Sequence, residues 1–341
     1  MVADPYDGYF QALLDLTLST EHDLTAADDE HDVFRQIEES VADFEDDLLA
    51  LADRTWESRA RFERNLGEKF FLAFRALDSI LAITYAATRL LTTGRFQHSK
   101  RPPHAVQYAA SALLSRAVSV GHEICAMLRA GFPGGAYARW RTLYELDVVA
   151  AVLRKGPRGT AARYIDHRWV LVAKKPREYF PDEDEWAQMQ PKIEKMAARL
   201  IRRYGPNYSN TYGWATEVAR RKLGIEKPQF WHLEKIADLK GHSALLAGAN
   251  HSVHADSLGG LLTIDQDGIL HSGARSDDIH IICALTVKTI GEIADSIIRM
   301  WKSYDPSASL DTLVGLYGEL SLTLQLDALS RTNATRTSEA S

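Results

Sequence analysis

Arg141 and Glu145 stand four residues apart in an otherwise apolar stretch, GGAYARWRTLYELDVVAAVL (134–153). At 100° per residue this spacing places both on one helical face, within pairing reach. Tyr137, Tyr144, Val148 and Val152 share that side, whereas Arg139 points roughly 200° away from Arg141. A guanidinium oriented by a carboxylate can grip a phosphate with two parallel hydrogen bonds. The same two residues can equally form a structural ion pair, in which desolvation offsets the Coulomb attraction.

A second set lies in ANHSVHAD (249–256), where Asn250 and His254 are four apart and His251 and His254 three apart. Imidazole titrates near neutral pH, so His254 is suited to moving a proton. Ala247, Gly248, Ala249, Ser252 and Ala255 are small, which lets a ligand or another backbone come close. A metal would have to draw on His251, His254 and Asp256, without an HExxH or a matching Glu-x-x-His elsewhere, and no metal is expected. A third set, Arg116, His122 and Glu123 in SRAVSVGHEIC, resembles the Arg–His signature of HEPN ribonucleases, which cleave RNA without metal. Ala117 stands where a polar residue usually follows the arginine. Arg163, Asp166 and His167 read as a solvated face. No P-loop, dinucleotide fingerprint or GxSxG is present, and no cofactor is expected.

The elements that must carry these residues are helices. Apolar residues recur at helical spacing through Tyr6–Leu18, Asp32–Ala52, Trp56–Leu91, Ala105–Ala130 and the stretch opened by Gly134. Further helices are predicted over Thr160–Lys175, Pro181–Tyr204, Trp214–Leu223, Phe230–Leu239 and Asp277–Lys302, with another opened by Pro306. The one β signal is LLTIDQDGILHS (261–272), whose Asp267–Gly268 pair suits a hairpin turn. The predicted fold is therefore mainly α, a multi-helix bundle with one short hairpin near 261–272. It is expected to divide into an acidic helical arm (1–55), a main helical domain (56–303), and a C-terminal helix with a disordered tail (304–341).

Phe70–Leu91 is apolar, but Arg75, Asp78 and Arg89 interrupt it, and it reads as a core helix rather than a membrane span. The N-terminus lacks the basic and apolar regions of a secretory signal. Cys125 and Cys283 are isolated, which excludes a disulfide framework and points to a reducing, cytoplasmic compartment. Charge is unevenly spread: residues 1–54 hold 16 acidic side chains against two basic, and 55–240 hold 32 basic against 18 acidic. A basic middle would attract an acidic partner such as RNA, and the acidic arm would compete with it. RRYGPNYSNTYGW (202–214) interleaves charge with aromatic rings, as single-stranded RNA binding would use.

The order of RWRTLYEL, GWATEVARRKLGI and ANHSVHAD resembles an uncharacterised bacterial helical family, number 5677 in the domain-of-unknown-function series. The likeness covers roughly residues 60–303. Its motifs fall on Arg141, Tyr144 and Glu145, on Trp214, and on Asn250, Val253 and His254, with Asn250 where serine is more usual. A fainter, fold-level likeness to HEPN-type proteins implies a role of toxin or phage-defence type. Two functions then follow. As a ribonuclease, the protein would use His254 as proton shuttle, Arg141 on the phosphate, Glu145 to orient them and Asn250 to position substrate, with Tyr144, Trp214 and His251 as substrate contacts. As a non-catalytic sensor or interaction module, it would hold Arg141, Glu145 and His254 as a buried polar network, and its long helices would suit a homodimer.

Overall fold

The computed structural model describes residues 52–93, 104–180, 182–239, 245–246, 248–249 and 273–304. Among these the chain is mainly helical and contains no strand. The expected hairpin at 261–272 lies outside the described residues, as do the predicted helices of the acidic arm and the one after Pro306. The long helix expected from Trp56 is two, α1 (residues 52–69) and α2 (Phe71–Thr93), separated by a turn at Phe70. Then follow α3 (His104–Arg129), α4 (Pro133–Lys155), α5 (Thr160–Asp166), α6 (Arg168–Lys174), α7 (Pro176–Tyr179) and α8 (Glu183–Tyr204). Short 3-10 turns at Pro206–Ser209 and Gly213–Ala215 lead to α9 (Thr216–Leu223), α10 (Phe230–Ala237) and α11 (Ile279–Lys302).

The chain forms two compact units. In the smaller, which holds Ala126–Pro133 and Ala255–Ile279 together with the segment up to Phe71, the backbone N–H of Arg275 donates to the Gly131 carbonyl at 2.8 Å. Arg59 of α1 lies over the Phe132 ring in the same unit.

The larger unit is built around α4. No residue of α4 from Ala136 to Lys155 is exposed. Trp140, Leu143, Tyr144, Val148 and Val152 are among its fully buried side chains; burying each such large apolar group is worth roughly 1.5–3 kcal/mol. Trp140 Nε1 donates to Thr289 Oγ1 of α11 at 3.0 Å, which satisfies the one polar atom of a ring with no solvent access. The window Phe71–Arg89 in α2 is long and apolar enough to cross a membrane by length and composition, yet half of it is buried inside the protein. Its buried stripe, with Leu77, Ile80, Leu81 and Thr84, is opposed by exposed Arg75, Asp78 and Arg89, the pattern of an amphipathic core helix.

The segment from α5 to α9 packs as a layer of short helices on α8. Asp182 caps α8 by accepting from the Glu185 N–H at 2.8 Å, and acidic Glu183–Glu185 open the helix that Arg202 and Arg203 close, as the helix dipole favours. Gly213 sits so close to the Tyr208 carbonyl that a Cβ there would overlap it. That approach folds the 204–214 loop back on itself.

Candidate functional site

The i,i+4 pair forms as its spacing requires. Arg141 Nε donates to Glu145 Oε1 at 3.2 Å, with the two side chains 35% and 46% exposed. The pair is half open to solvent rather than desolvated, so its own contribution to stability is small, at most about 1 kcal/mol. Arg139 belongs to another environment: it pairs with Glu123 of α3 and also donates to Thr142 Oγ1 at 3.3 Å. That hydrogen bond to the guanidinium holds the Glu123 carboxyl below its ordinary range, with Arg116 adding to the effect. Glu123 is thereby occupied, and Arg116 and His122 are exposed on α3.

Two tyrosines and a glutamate complete the Arg141 face. Tyr144, fully buried, donates through Oη to Glu234 Oε1 of α10 at 2.7 Å. Its ring lies 5.7 Å from Trp140 and 6.3 Å, edge-on, from Phe230. Tyr212 packs on Phe230 from the other side, with centroids 6.1 Å apart. Burial raises the Tyr212 phenol above its ordinary range, and the Glu145 carboxylate raises it further while Arg141 works against the rise. Burial likewise pushes the Tyr144 phenol up, reinforced by Glu234, so both hydroxyls keep their protons through the neutral range. The arrangement is a guanidinium and two carboxylates bordered by protonated phenols: Arg141, oriented by Glu145, is the group that can meet an oxyanion, and the Tyr144 hydroxyl is already engaged by Glu234.

One turn before Arg141, Tyr137 Oη donates to the Leu245 carbonyl at 2.6 Å. Gly248 rests against the same ring, and a Cβ there would lie 3.1 Å from Tyr137 Oη. The small-residue segment read from the sequence therefore does approach α4 closely, and its glycine is what permits the contact. Asn250, His251 and His254, which continue that segment in the sequence, lie outside the described residues.

Trp214 is in the core, 4% exposed, with its ring edge-on to Tyr164 at 5.0 Å. Neither it nor Tyr144 presents a free surface for a substrate to stack on. The solvated face expected at Arg163, Asp166 and His167 is corrected. His167 is buried, its Nε2 lies 3.0 Å from the Tyr208 carbonyl and 2.9 Å from that of Asn210, and burial lowers its pKa. Arg163 lies over the Tyr204 ring and is only 12% exposed. The aromatic rings of 202–214 that suggested RNA stacking have the same fate: Tyr208 and Trp214 face inward. Alternating charge and ring there reflects helix and loop packing, in which the Arg163 and Arg203 guanidinium groups lie over the Tyr204 ring.

Among the described residues no group of three His, Cys, Asp or Glu side chains is placed to hold a metal ion. Both cysteines are buried, and neither is in a disulfide.

Residues 107–269 match a family of unknown function, DUF5677. The DUF5677 region begins within α3 and contains Arg141, Tyr144, Glu145, Trp214, Asn250 and His254, the residues that carried the resemblance. It is shorter than the 60–303 read from the sequence, and α1, α2 and α11 lie beyond it. Neither a curated protein nor a solved structure matches the chain.

Three participants escaped sequence reading. Glu234 and Tyr212 lie far from Arg141 in sequence, and no periodicity links them to it. Asp147 stands two residues after Glu145 on a different face of α4. It is buried, and the Glu292 carboxylate of α11 is beside it. Desolvation first, then Glu292, pushes the Asp147 carboxyl well above its ordinary range. An isolated carboxylate in an apolar helix was the available signal.

Proposed function

We propose that the protein is a metal-independent ribonuclease, HEPN-like and of toxin or defence type, working at the Arg141 face of α4. The observation that carries the reading is the Tyr137–Leu245 hydrogen bond, because it docks the segment leading to Asn250 and His254 one helical turn from Arg141. His254 takes the proton of a ribose 2′-hydroxyl as its oxygen bonds to the adjacent phosphorus. The bond to the 5′-oxygen breaks, and that oxygen receives the proton, leaving a cyclic phosphate. Arg141 stabilises the charge that builds on the phosphorus oxygens, and Glu145 holds its guanidinium in place. Asn250 positions the nucleotide, and His251 contacts it. Tyr144 and Trp214 are not retained as substrate contacts, since both are buried.

The test is incubation of the purified chain with total RNA, with and without EDTA. Cleavage that persists in EDTA, is lost in His254→Ala and falls about a hundredfold in Arg141→Ala is expected. Far-ultraviolet circular dichroism should stay unchanged in both variants. Absence of cleavage, or full activity of His254→Ala, overturns the catalytic reading.

A second reading is favoured by a different observation. Arg141, Glu145, Tyr144 and Glu234 already satisfy one another, as the members of a structural network do. The protein would then be a sensor or interaction module, and RNA would remain intact.

A further inference from the structure

Tyr208 and Trp214 point inward, but Trp231 of α10 points outward, and 60% of it is exposed. A lone apolar side chain on a surface needs no explanation. This one is set apart by what holds it. The His232 ring lies 3.3 Å from the indole, tilted by 30°, and covers one of its faces. His232 is itself buried, and its Nδ1 accepts the Gln229 N–H at 2.9 Å as part of the N-terminal cap of α10. The indole is thus backed by a fixed ring on one face and open to solvent on the other.

The helix sets this open face beside the Arg141 site. His232, Leu233, Ile236 and Ala237 fill the buried side of α10, and Phe230 and Glu234 stand at its edge. Phe230 packs on Tyr144 and Tyr212, and Glu234 accepts from Tyr144 Oη. At 100° per residue, Trp231 and Lys235 form the next stripe, within about 100° of Glu234 around the helix axis. Rings therefore run from the polar site to the surface: Tyr212, which feels the charges of Glu145 and Arg141, then Phe230, then Trp231. Two cations flank the last of them. Lys235 is one turn after Trp231, Lys227 is in the loop before α10, and both are exposed. Asp238, the acid at the end of the stripe, is offset by Lys155.

A flat open ring between two cations matches a base between two phosphates. Aromatic side chains stack on bases of any identity, and neighbouring lysines follow the phosphate backbone as point charges. A base offers its face only where it is unpaired and splayed out, so a duplex has nothing to lay on the indole. We propose that Trp231 stacks an unpaired base of single-stranded RNA, with Lys227 and Lys235 on the adjoining phosphates, and that single strands are therefore the substrate class of the Arg141 site. The identity of the strand rests on the ribonuclease reading, whereas the stacking can be measured without any cleavage.

The experiment uses the full chain and a short, fluorescein-labelled RNA of mixed sequence whose 2′-hydroxyls are methylated, which removes the nucleophile of the cleavage step. Fluorescence anisotropy compares this strand alone, the strand annealed to its complement, and single-stranded DNA of the same sequence. The single strand of RNA should bind at least about tenfold tighter than the duplex, and the DNA no tighter than the RNA. Trp231→Ala should weaken binding about tenfold, the loss of one stacked base, and Trp231→Phe, which keeps a ring, should recover most of it. Lys235→Gln should weaken binding about threefold and flatten its salt dependence, as loss of one phosphate contact does. Because Lys235 lies on the surface, that variant keeps the test valid if Trp231→Ala fails to fold. Affinity unchanged in Trp231→Ala and Lys235→Gln, equal binding of the duplex, preference for DNA, or no binding of the single strand would overturn the proposal, whether or not unmodified RNA is cleaved. Binding that depends on Trp231 while unmodified RNA stays intact would keep the stacking site and remove the ribonuclease reading.

Discussion

Arg141 and Arg163 each meet a glutamate at almost the same distance, 3.2 and 3.3 Å, yet the two pairs do different work. Glu145 is one helical turn from Arg141, and both side chains are more than a third exposed. Glu217 is 54 residues from Arg163, whose side chain is 12% exposed and bedded on tyrosine rings. The first pair is a property of one helix. The second is a property of the tertiary structure, because it joins α5 to α9 and leaves one edge of a buried cation unsatisfied. Equal distances therefore conceal unequal consequences: in the exposed pair, water can replace a lost partner, and in the buried one it cannot.

The largest effect should come from the loop that makes the second pair possible. Gly213 lies against the Tyr208 carbonyl and the Asn207 carbonyl, backbone atoms that cannot turn aside as a side chain would. Gly213→Val should destabilise the protein by at least about 2 kcal/mol in urea unfolding, as overpacking against fixed backbone does. It should also expose the Tyr208 and Trp214 rings to fluorescence quenchers. The matching change at Gly248, which meets the Tyr137 ring tip, is milder because a side chain can shift. A Gly213→Val protein of unchanged stability would mean that the loop does not hold Arg163 in place.

This contrast also marks what the sequence made legible. Helical spacing predicted α3, α4, α8, α9, α10 and α11 to within a few residues, because period 3.6 is a local signal. It likewise predicted that Arg141 and Glu145 would meet and that Arg139 would look elsewhere. The Arg163–Glu217 pair, the buried His167 and the Tyr144–Glu234 bond span 54, 43 and 90 residues, and no local pattern encodes them. Reading Arg163, Asp166 and His167 as solvated failed for that reason. Polar residue types on a short helix suggest water, and only the tertiary fold supplies the carbonyls and rings that replace it. The turn at Phe70 was missed for the opposite reason, since apolar periodicity runs on through it.

Asp147 gives the second, intermediate effect, and a sharper version of the comparison. Here the carboxylate's neighbour on α11 is another carboxylate, Glu292, with Lys288 and Arg154 also facing the pair. Lys288 Nζ lies 3.8 Å from Glu292 Oε1. Because burial and Glu292 raise the Asp147 pKa in the folded state, folding retains a proton that the unfolded chain releases at its ordinary pKa of 3.8. The group's favourable contribution is thus complete below that value and is lost as pH rises through the raised one. Asp147→Asn should raise stability by about 1 kcal/mol near neutral pH, as other relieved buried charges do. The gain should shrink as pH falls through the raised value and level off below the unfolded value of 3.8, where the wild-type carboxyl is protonated in both states. Chemical denaturation of both proteins across that pH range gives the answer, and a pH-independent difference would exclude a proton held between the two carboxyls.

Arg141 should give the smallest effect on stability, and for that reason the cleanest separation of stability from function. Its partner is local and its surroundings are wet, so Arg141→Gln removes an ion pair of the kind typically worth ~0.3–0.5 kcal/mol. Raising the salt concentration should reduce even that difference, because exposed charges are screened over about 10 Å at 0.1 M ionic strength. Glu145→Gln should cost no more, and the double variant should be close to the sum of the two less one shared pair energy. If Arg141→Gln instead lowers stability by 2 kcal/mol or more, the guanidinium is holding helices together through Tyr212 and Glu234, and the network reading of this face gains over the catalytic one. A small stability loss accompanied by loss of RNA cleavage would locate the function of the pair in what it binds, because nothing in its contribution to folding would then account for the defect.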